Sequence, residues 1–477
     1  MSRNWPIYFK ERLWLVNPEK GFVGVATLWT PKERIARLMP ENVSVVGQLY
    51  TKGGIEFIIR NLWAKPQISY LVVCGQDSSD SGVALREFFQ KGTIGGRDPL
   101  FDKYIPKRDL KIIREKVQLV NFCGQTDPAL TAKKISKLKF RPAFAKKPKL
   151  FPQAKLPGTF PSETSVFRIE APTIGLAWLE ILKTILRFGW ELPRLIVYGG
   201  KERMILNLAV VITEEEIKKP KIYPFFNFDE KQLKKYFKEF FNPKRGDQAY
   251  TYGERLFDYF GVDQVGIMAQ KLHQFPFNKG ALATLWQPTI DNFPQRQPWH
   301  TPCLTLIQGI CQEEKLHLTA YFRSNDMFGA WLLNAFALRR LQAVLAEKID
   351  KEVGVLTVVS HSAFIDNNDL PAAQKVVEEN DRLFCLWDPR GNLVIDVQGE
   401  EIVVQHFSPN GGFLQEFRVN GKKPKAASQM AEKLIKAQVI SRADHALDIG
   451  EQLARAEEAI KLGLRFEQDK NLKKVWS

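Results

Sequence analysis

The chain has 477 residues, 44% of them hydrophobic, and a formal net charge of +16 at pH 7. That length implies two to four domains with ample apolar material for their cores. No run approaches the ~18 apolar residues of a membrane span, and MSRNWPIYFKERLW has no signal-peptide core. The five cysteines (74, 123, 303, 311, 385) are scattered without a CxxC. This spacing suits a reducing, cytoplasmic setting and speaks against disulfides or a metal site. A basic chain invites a nucleic-acid partner. Residues 131–157, however, hold nine Lys/Arg and no acid, more than half the excess, with no nucleic-acid motif. The charge therefore reads as a solvated linker, and neither nucleic acid nor membrane is an expected partner.

Residues 1–125 alternate strand and helix patterns. VGVATLW and SVVGQLYT read as strands, GGIEFIIRNLWAKP as a helix closed by Pro66, and SYLVVCG (69–75) as a buried strand. The polar loop QDSSDSG (76–82), the helix GVALREFFQKG and the strand VQLVNFCG (117–124) follow. Such alternation predicts a small α/β domain with a parallel sheet. GGIEFIIRNL, its spacing to YLVVCG, the helix ending at Gly92 and the late VQLVNFCG strand resemble the A subunit of tetrahydromethanopterin S-methyltransferase. That family binds a corrinoid through a histidine in the loop after Cys-Gly. Here no histidine precedes His273, so the resemblance implies the fold and no corrinoid. Residues 126–165 are rich in Lys and Pro, which predicts a semi-extended spacer.

Residues 166–378 predict an α+β central domain, interrupted by polar, insertion-like stretches at 213–235 and 288–300. Its focus is 299–334. LTLIQGIC and KLHLTAYFR flank QEEK, which predicts a hairpin. Leu316, Leu318, Ala320 and Phe322 share one face, and His317, Thr319, Tyr321 and Arg323 the other. A turn and a helix from about Gly329 to Ile349 follow, with Asn334, Leu338, Leu341 and Leu345 on one stripe. Asn334 thus points where the leucines point, and a buried amide left unpaired costs roughly 1–3 kcal/mol. Cys303, after a proline at a strand start, reads either as a small buried hydrophobe or as a thiol activated by a nearby cation, for which Arg323 is placed. Trp286, Trp299 and Trp331 lie close by in sequence.

This stretch resembles the thymidylate synthase family, most of all its shorter archaeal-type members. The family's Pro-Cys followed five residues later by Gln falls on Cys303 and Gln308. Its Arg-Ser-x-Asp, with Asn eleven residues after the Arg, falls on Arg323, Ser324, Asp326 and Asn334. The match extends over TIGLAWLEILKTILRFG, YTYGERLFDYFGVDQV and ALATLWQP, where Tyr252 meets the family's Tyr-Gly. The resemblance implies that Cys303 adds to carbon 6 of a uracil ring and that Arg323 and Ser324 hold the nucleotide phosphate. Asn334 would read the pyrimidine edge and Asp326 would position the ring. It implies a deoxyuridine-monophosphate-type substrate, tetrahydrofolate or another pterin as one-carbon carrier, and a homodimer. Three departures stand against it. Phe364 and Asp366 occupy the His-x-Tyr positions that bind deoxyribose. Lys279-Gly280 replaces an arginine pair, and Glu180 is the nearest counterpart of the early-helix glutamate. A nucleotide- or pterin-binding protein without turnover is therefore the alternative.

Residues 379–477 predict a third, α+β domain. RLFCLWD, NLVIDVQ, EIVVQHF and FLQEFRV make an antiparallel meander joined by turns such as DPRGN. Helices follow from about 424 and 442, the second opened by a capping-box-like Ser441 and Asp444, with His445 in its first turn as a packing or capping residue. This domain resembles an uncharacterised family that accompanies pterin- and folate-related proteins.

Overall fold

Residues 14–135 fold as a five-stranded sheet with helices on both faces. The computed structural model describes residues 5, 8–10, 13–99, 101, 105–152, 158–193, 200–246, 248–292, 301–381 and 386–474. In chain order the sheet and its helices are β1 (Trp14–Leu15), β2 (Val23–Ala26), α1 (Lys32–Ala36), β3 (Val43–Gly47), α2 (Gly54–Ala64), β4 (Tyr70–Gly75), α3 (Ser81–Lys91), α4 (Lys107–Lys116), β5 (Gln118–Cys123) and α5 (Pro128–Ile135). Strand order is β1-β3-β2-β4-β5, parallel except for β1. Leu71 and Val73 of β4 face a core built with α2, α3 and α4, while Val72 and Cys74 face one that includes Ile35 and Ile135 of α1 and α5. Both faces are covered, which is why YLVVCG is buried throughout. The chain steps from β2 outward to β3 and then back past β2 to β4. The crevice between the carboxyl ends of β2 and β4 is thus a switch point of the kind that takes ligands. Gly75 closes β4 with φ +86°, where a Cβ would lie 2.2 Å from the Thr27 carbonyl oxygen.

The expected 126–165 spacer is corrected over its described residues up to Pro152. Asp127 caps α5 by accepting from the N–H groups of Ala129 and Leu130, and Ile135 is fully buried. Beyond it the chain lies along the sheet. Tyr70 Oη donates to Lys139 O at 3.1 Å, Lys149 N to Trp63 O at 2.9 Å, and Arg60 Nη1 to the carbonyls of Phe151 and Pro152, both at 3.1 Å. Its cations sit over rings, Arg141 at 5.4 Å from Tyr70 and Lys134 at 4.8 Å from Phe122.

The central elements are β6 (Phe167–Ala171), α6 (Ile174–Phe188), β7 (Trp190–Pro193), β8 (Lys201–Ile212), α7 (Glu230–Phe240), α8 (Tyr252–Phe257), α9 (Gln264–Gln274), β9 (Leu282–Thr284), α10 (Pro288–Asp291), β10 (Leu304–Gln312), β11 (Lys315–Asp326), α11 (Trp331–Lys348), β12 (Glu352–Asp366) and α12 (Leu370–Asn380). The sheet runs β6-β8-β12-β11-β10-β9, with β7 on β8. The expected hairpin closes on Glu313 and Glu314, both at positive φ (50° and 62°), as a two-residue turn matching strand twist requires. Leu316, Leu318, Ala320 and Phe322 are buried on the side that α11 covers.

In four neighbouring strands the core-facing alternation skips a position at the same row. The buried series passes from Leu304 to Ile307, Phe322 to Asn325, Ser360 to Ala363 and Ile205 to Leu208. The row is in register, Leu304 opposite Phe322, Phe322 opposite Ser360 and Ser360 opposite Leu208. A kink stacked across a sheet re-aims every side chain beyond it, and Arg323 and Ser324 lie on that line.

Residues 1–381 make one unit and 382–477 a second. The second holds the three-stranded meander β13 (Asn392–Gln398), β14 (Glu401–Phe407) and β15 (Phe413–Asn420), helices α13 (Ala426–Lys436) and α14 (Ala443–Leu462), and the pair β16 (Leu464–Arg465) and β17 (Lys473–Lys474). Residues 382–385 of the expected first strand lie outside the described residues, and 386–388 are not in a strand. The Ser441–Asp444 capping box does not form. Asp388, in the DPRGN turn, instead accepts from Ser441 N (2.8 Å), Ser441 Oγ (2.7 Å) and Arg442 N (3.2 Å), and His445 Nδ1 lies 3.0 Å from its Oδ2. These bonds hold the Asp388 carboxyl below its usual range. No described helix is long and apolar enough to cross a membrane.

Candidate functional site

Cys303 sits one residue before β10, half-buried. Its carbonyl accepts the Arg323 N–H at 2.9 Å, so the hairpin sets the two residues side by side. Burial pushes the Cys303 thiol above the usual cysteine range, the Arg323 guanidinium pulls it back, and the Asp326 carboxylate pushes it up again. Arg323 is itself held by the segment that carries the cysteine. Its Nε donates to Pro302 O (3.0 Å) and its Nη2 to Thr301 O (3.2 Å) and Thr301 Oγ1 (2.8 Å), with Trp286 5.5 Å from the guanidinium carbon. Nη1 has no hydrogen bond to a described residue. Ser324, next along and half-buried, pairs in register with Ser362.

Asp326 ends β11 and organises the turn after it. Its Oδ1 accepts from Phe328 N (3.1 Å) and Gly329 N (2.9 Å). The turn is fixed from two further sides: Met327 N donates to Phe364 O at 2.8 Å, and Trp178 Nε1 donates to Met327 O at 2.6 Å. It delivers the chain into α11, whose first turn carries Asn334. Asn334 is buried with Leu338, Leu341 and Leu345. Its Oδ1 accepts from the Tyr236 hydroxyl, and its Nδ2 donates to no described residue.

Tyr252 opens α8, capped by Thr251, whose Oγ1 accepts from Glu254 N at 3.0 Å. Its hydroxyl accepts from Leu304 N at 3.4 Å. The following Gly253 is required, because a Cβ there would lie 2.1 Å from the Asn242 carbonyl oxygen. Burial raises the hydroxyl pKa of both Tyr236 and Tyr252, and the Cys303 thiol adds to the effect in each. Cys303, Arg323, Asp326, Asn334, Tyr236 and Tyr252 therefore form one cluster.

Gln308 is not brought into it. The register of β10 does shift between Leu304 and Leu306, as its opposite strand parity to Cys303 demanded, yet its Nε2 donates to Lys279 O at 2.7 Å. Of the departures, Phe364 is half-buried and lies opposite Asp326 in the strand register. Asp366 is buried and its Oδ1 accepts from Asn368 N at 3.0 Å. His361 is exposed, 2.9 Å from Asn207 Oδ1. Glu180 pairs with Lys183 on α6 at 3.0 Å. Trp331 is fully buried core, and Trp299 lies outside the described residues.

Tyr236 is not among the residues the sequence singles out; it lies one residue past the polar, insertion-like stretch 213–235. A signal existed: Asp229 and Gln232 form a capping box opening α7, and Leu233, Tyr236, Phe237 and Phe240 follow at helical spacing.

Beside Tyr236 and Asp326 lies a cavity of about 740 Å³. Its far wall is made by the loops after β2, β3 and β4, through Trp29, Lys52 and Ser79. Cys303, Arg323 and Asn334 do not line it. Among the described residues no cluster of His, Cys, Asp and Glu could hold a metal ion.

A sequence profile described as Thymidylate synthase matches residues 226–419, and one described as PterinBD-DUF4346 matches residues 387–469. They overlap across 387–419, within the second unit. A protein of Methanosarcina mazei is 33% identical over 214 residues, 44% of this chain and 94% of the relative. One of Methanocaldococcus jannaschii is 31% identical over 208 residues, 42% of this chain and 91% of the relative. One of Methanopyrus kandleri is 35% identical over 153 residues, 32% of this chain and 70% of the relative. All three carry thymidylate synthase as a provisional name.

Proposed function

The chain belongs to the thymidylate synthase family, and from that premise we propose that it transfers a one-carbon unit to carbon 5 of a deoxyuridine-monophosphate-type nucleotide, with Cys303 as the nucleophile. The observation that carries this reading is the convergence of Cys303, Arg323, Asp326 and Asn334. The Cys303 thiolate adds to carbon 6, which makes carbon 5 nucleophilic, and the carbon–sulfur bond breaks again after carbon 5 has accepted its new bond and lost its proton. Arg323 Nη1 meets the phosphate with Ser324 beside it. Asn334 has an amide oxygen for the ring N–H and an amide nitrogen for the ring carbonyl, which suits uracil. Tyr252 holds the start of β10 under the cysteine.

A reduced folate or other pterin carrier supplies the one-carbon unit when bound. The cavity beside Tyr236 and Asp326 has a volume suited to such a molecule. A homodimer through the sheet face opposite α11 belongs to this reading, because Ile310 (37%) and Tyr321 (39%) stand exposed there. The likeness of residues 1–125 to the S-methyltransferase enters as fold alone.

A second reading, a binding protein without turnover, is favoured by the Tyr236–Asn334 bond and by Phe364 at the deoxyribose position. The test is the intact mass of the protein with 5-fluoro-deoxyuridine monophosphate, with and without methylene-tetrahydrofolate. A folate-dependent adduct lost in Cys303→Ala supports transfer. Nucleotide binding without an adduct supports the second reading.

A further inference from the structure

We propose that the open edge of β5 is a docking site for an extended acidic segment of a partner protein, which adds to the N-terminal sheet as a further strand. The site is independent of the transferase reading.

β5 is the last strand of its sheet and pairs only with β4 among the described residues. Gln118 N donates to Ser69 O at 2.9 Å, on the β4 side. Alternation along a parallel ladder then turns the backbone of Gln118, Val120 and Phe122 toward β4, and that of Leu119 and Asn121 toward the open side. Outside the sheet, the N–H and C=O groups of Leu119 and Asn121 bond to no described residue. The pairing with β4 is continuous from Gln118 to Cys123, so no bulge twists this edge away. A row of uncovered N–H and C=O groups is a template for another strand.

The charge around the edge decides which strand fits. Leu119 packs toward the core shared with α3 and α4, while Val120 and Phe122 pack toward the opposite one. A groove of about 390 Å³ lies along β5, lined by Arg86 of α3, Arg114 of α4 and Arg141. Arg86 and Arg114 belong to the Leu119 face. They are tied only to helix carbonyls, Arg86 Nε to Gly82 O at 3.4 Å, and Arg114 Nε and Nη2 to Phe89 O (3.5 Å) and Gln90 O (3.4 Å). Arg141 belongs to the other face, where its Nη1 donates to Gln118 Oε1 at 2.6 Å and Lys134 lies over the Phe122 ring. Arg141 also lies over the Tyr70 ring, and a stacked guanidinium keeps its remaining N–H groups open to a carboxylate. None of the three arginines has a carboxylate partner among the described residues. Glu115, the one acid in the groove lining, lies 3.7 Å from Lys111. Cations therefore flank the edge on both faces of the sheet. The side chains of an added strand point to the two faces in turn, so a run of Asp or Glu meets a cation on each side. The same cations oppose a second copy of the chain, because β5 against β5 sets arginine beside arginine. A nucleic-acid backbone would neutralise them too, but its phosphates bring no N–H to the carbonyls of Leu119 and Asn121.

The test is fluorescence anisotropy of the full-length protein with four labelled probes. They are a short peptide of Glu, Thr and Val, the same peptide with Lys for Glu, the acidic peptide with every backbone amide N-methylated, and a single-stranded oligonucleotide of equal charge. The acidic peptide is expected to bind at least about tenfold tighter than each of the others, since strand addition needs both the charge and the amides. Arg86→Gln and Arg141→Gln are each expected to weaken it by about three- to tenfold, and Arg86→Lys by less, because the charge is kept. Arg114 is left in place because it braces the end of α3. Amide hydrogen exchange over 117–123 reads the new ladder directly, and the acidic peptide should slow it by about tenfold or more. Without peptide, the exchange of both Gln variants should match that of the unaltered protein, which separates lost charge from misfolding. No binding of the acidic peptide, equal binding of its N-methylated form, or equal or tighter binding of the oligonucleotide overturns the proposal. So does exchange over 117–123 that is slow without peptide and quickens on dilution, which would put a second copy on the edge.

Discussion

The two ends of the candidate nucleotide pocket differ in what their polar groups are doing. At the β11–α11 end, Arg323 keeps Nη1 and Asn334 keeps Nδ2 uncommitted to described residues, although both side chains are anchored by their other atoms. At the β12 end, the Phe364 ring carries no hydrogen-bonding group and Asp366 is turned onto its own loop, accepting from Asn368 N. Anchoring by one atom while another stays open pre-orders a binding group and lowers the entropy lost on binding. Consumption by a local turn does not. On the proposed reading, base and phosphate recognition would persist while sugar recognition is lost, because the first two rest on β11 and α11 and the third on β12.

The largest expected effect tests that asymmetry directly. Asn334→Ala should weaken deoxyuridine monophosphate binding by ~10–100-fold, the cost of leaving buried polar groups of the base unpaired. Phe364→Ala should change it less than about threefold, since a dispersion contact alone is lost. Equal losses in a titration of both variants would break the comparison.

Next in size is the thiol. Because burial and Asp326 together outweigh Arg323, the Cys303 thiol lies above its ordinary range, and its alkylation by iodoacetamide should still be rising with pH where an ordinary cysteine has levelled off. Arg323→Gln raises the thiol further and should slow alkylation at pH 8. Asp326→Asn lowers it and should speed the reaction. Effects of about three- to tenfold in opposite directions are expected, since one pKa unit is tenfold in thiolate. Shifts of the same sign in both variants would remove the electrostatic account of this end of the pocket.

Much of this end is legible in the sequence. Period-two alternation places Leu316 to Phe322 inward, and helical spacing places Asn334 among leucines, because both patterns are local. The opposed parity of Cys303 and Gln308 requires an irregularity, which exists between Leu304 and Leu306. That it repeats across four strands is not legible, since a stacked kink is a property of register between distant segments. Gln308 escapes its expected place for the same reason: its partner, Lys279 O, comes from the loop before β9. The Lys/Pro segment departs from a free spacer because its cations spend their charge on aromatic faces of the N-terminal sheet. Ser441 and Asp444 look sufficient to cap α14, yet the segment before the helix is held instead by Asp388, 53 residues before Ser441, which accepts from Ser441 and Arg442.

Tyr236 gives the third prediction. Its hydroxyl already donates to the Asn334 oxygen that, on the proposed reading, a uracil N–H would meet, so two donors compete for one acceptor atom. Tyr236→Phe removes the competing donor and retains the ring, and should tighten deoxyuridine monophosphate binding by about three- to tenfold, the worth of one net hydrogen bond. Weaker binding in Tyr236→Phe would mean that the hydroxyl helps hold Asn334 in its reading position.

The smallest effect expected is a repair of the poorer end. Phe364 lies opposite Asp326 on the neighbouring strand, and its backbone carbonyl already holds Met327 in place. A tyrosine at this position keeps that carbonyl and the ring and adds one hydroxyl where deoxyribose is expected. The gain is limited, because a single hydroxyl gives up a water contact to make the new one, so Phe364→Tyr should improve affinity for deoxyuridine monophosphate by no more than about tenfold. The informative quantity is the ratio between deoxyuridine monophosphate and the free base uracil. If the hydroxyl reads the sugar, affinity for the nucleotide rises and affinity for uracil does not. If both rise together, the ring at Phe364 borders the base, and the division of the pocket into a preserved end and an eroded one is drawn in the wrong place.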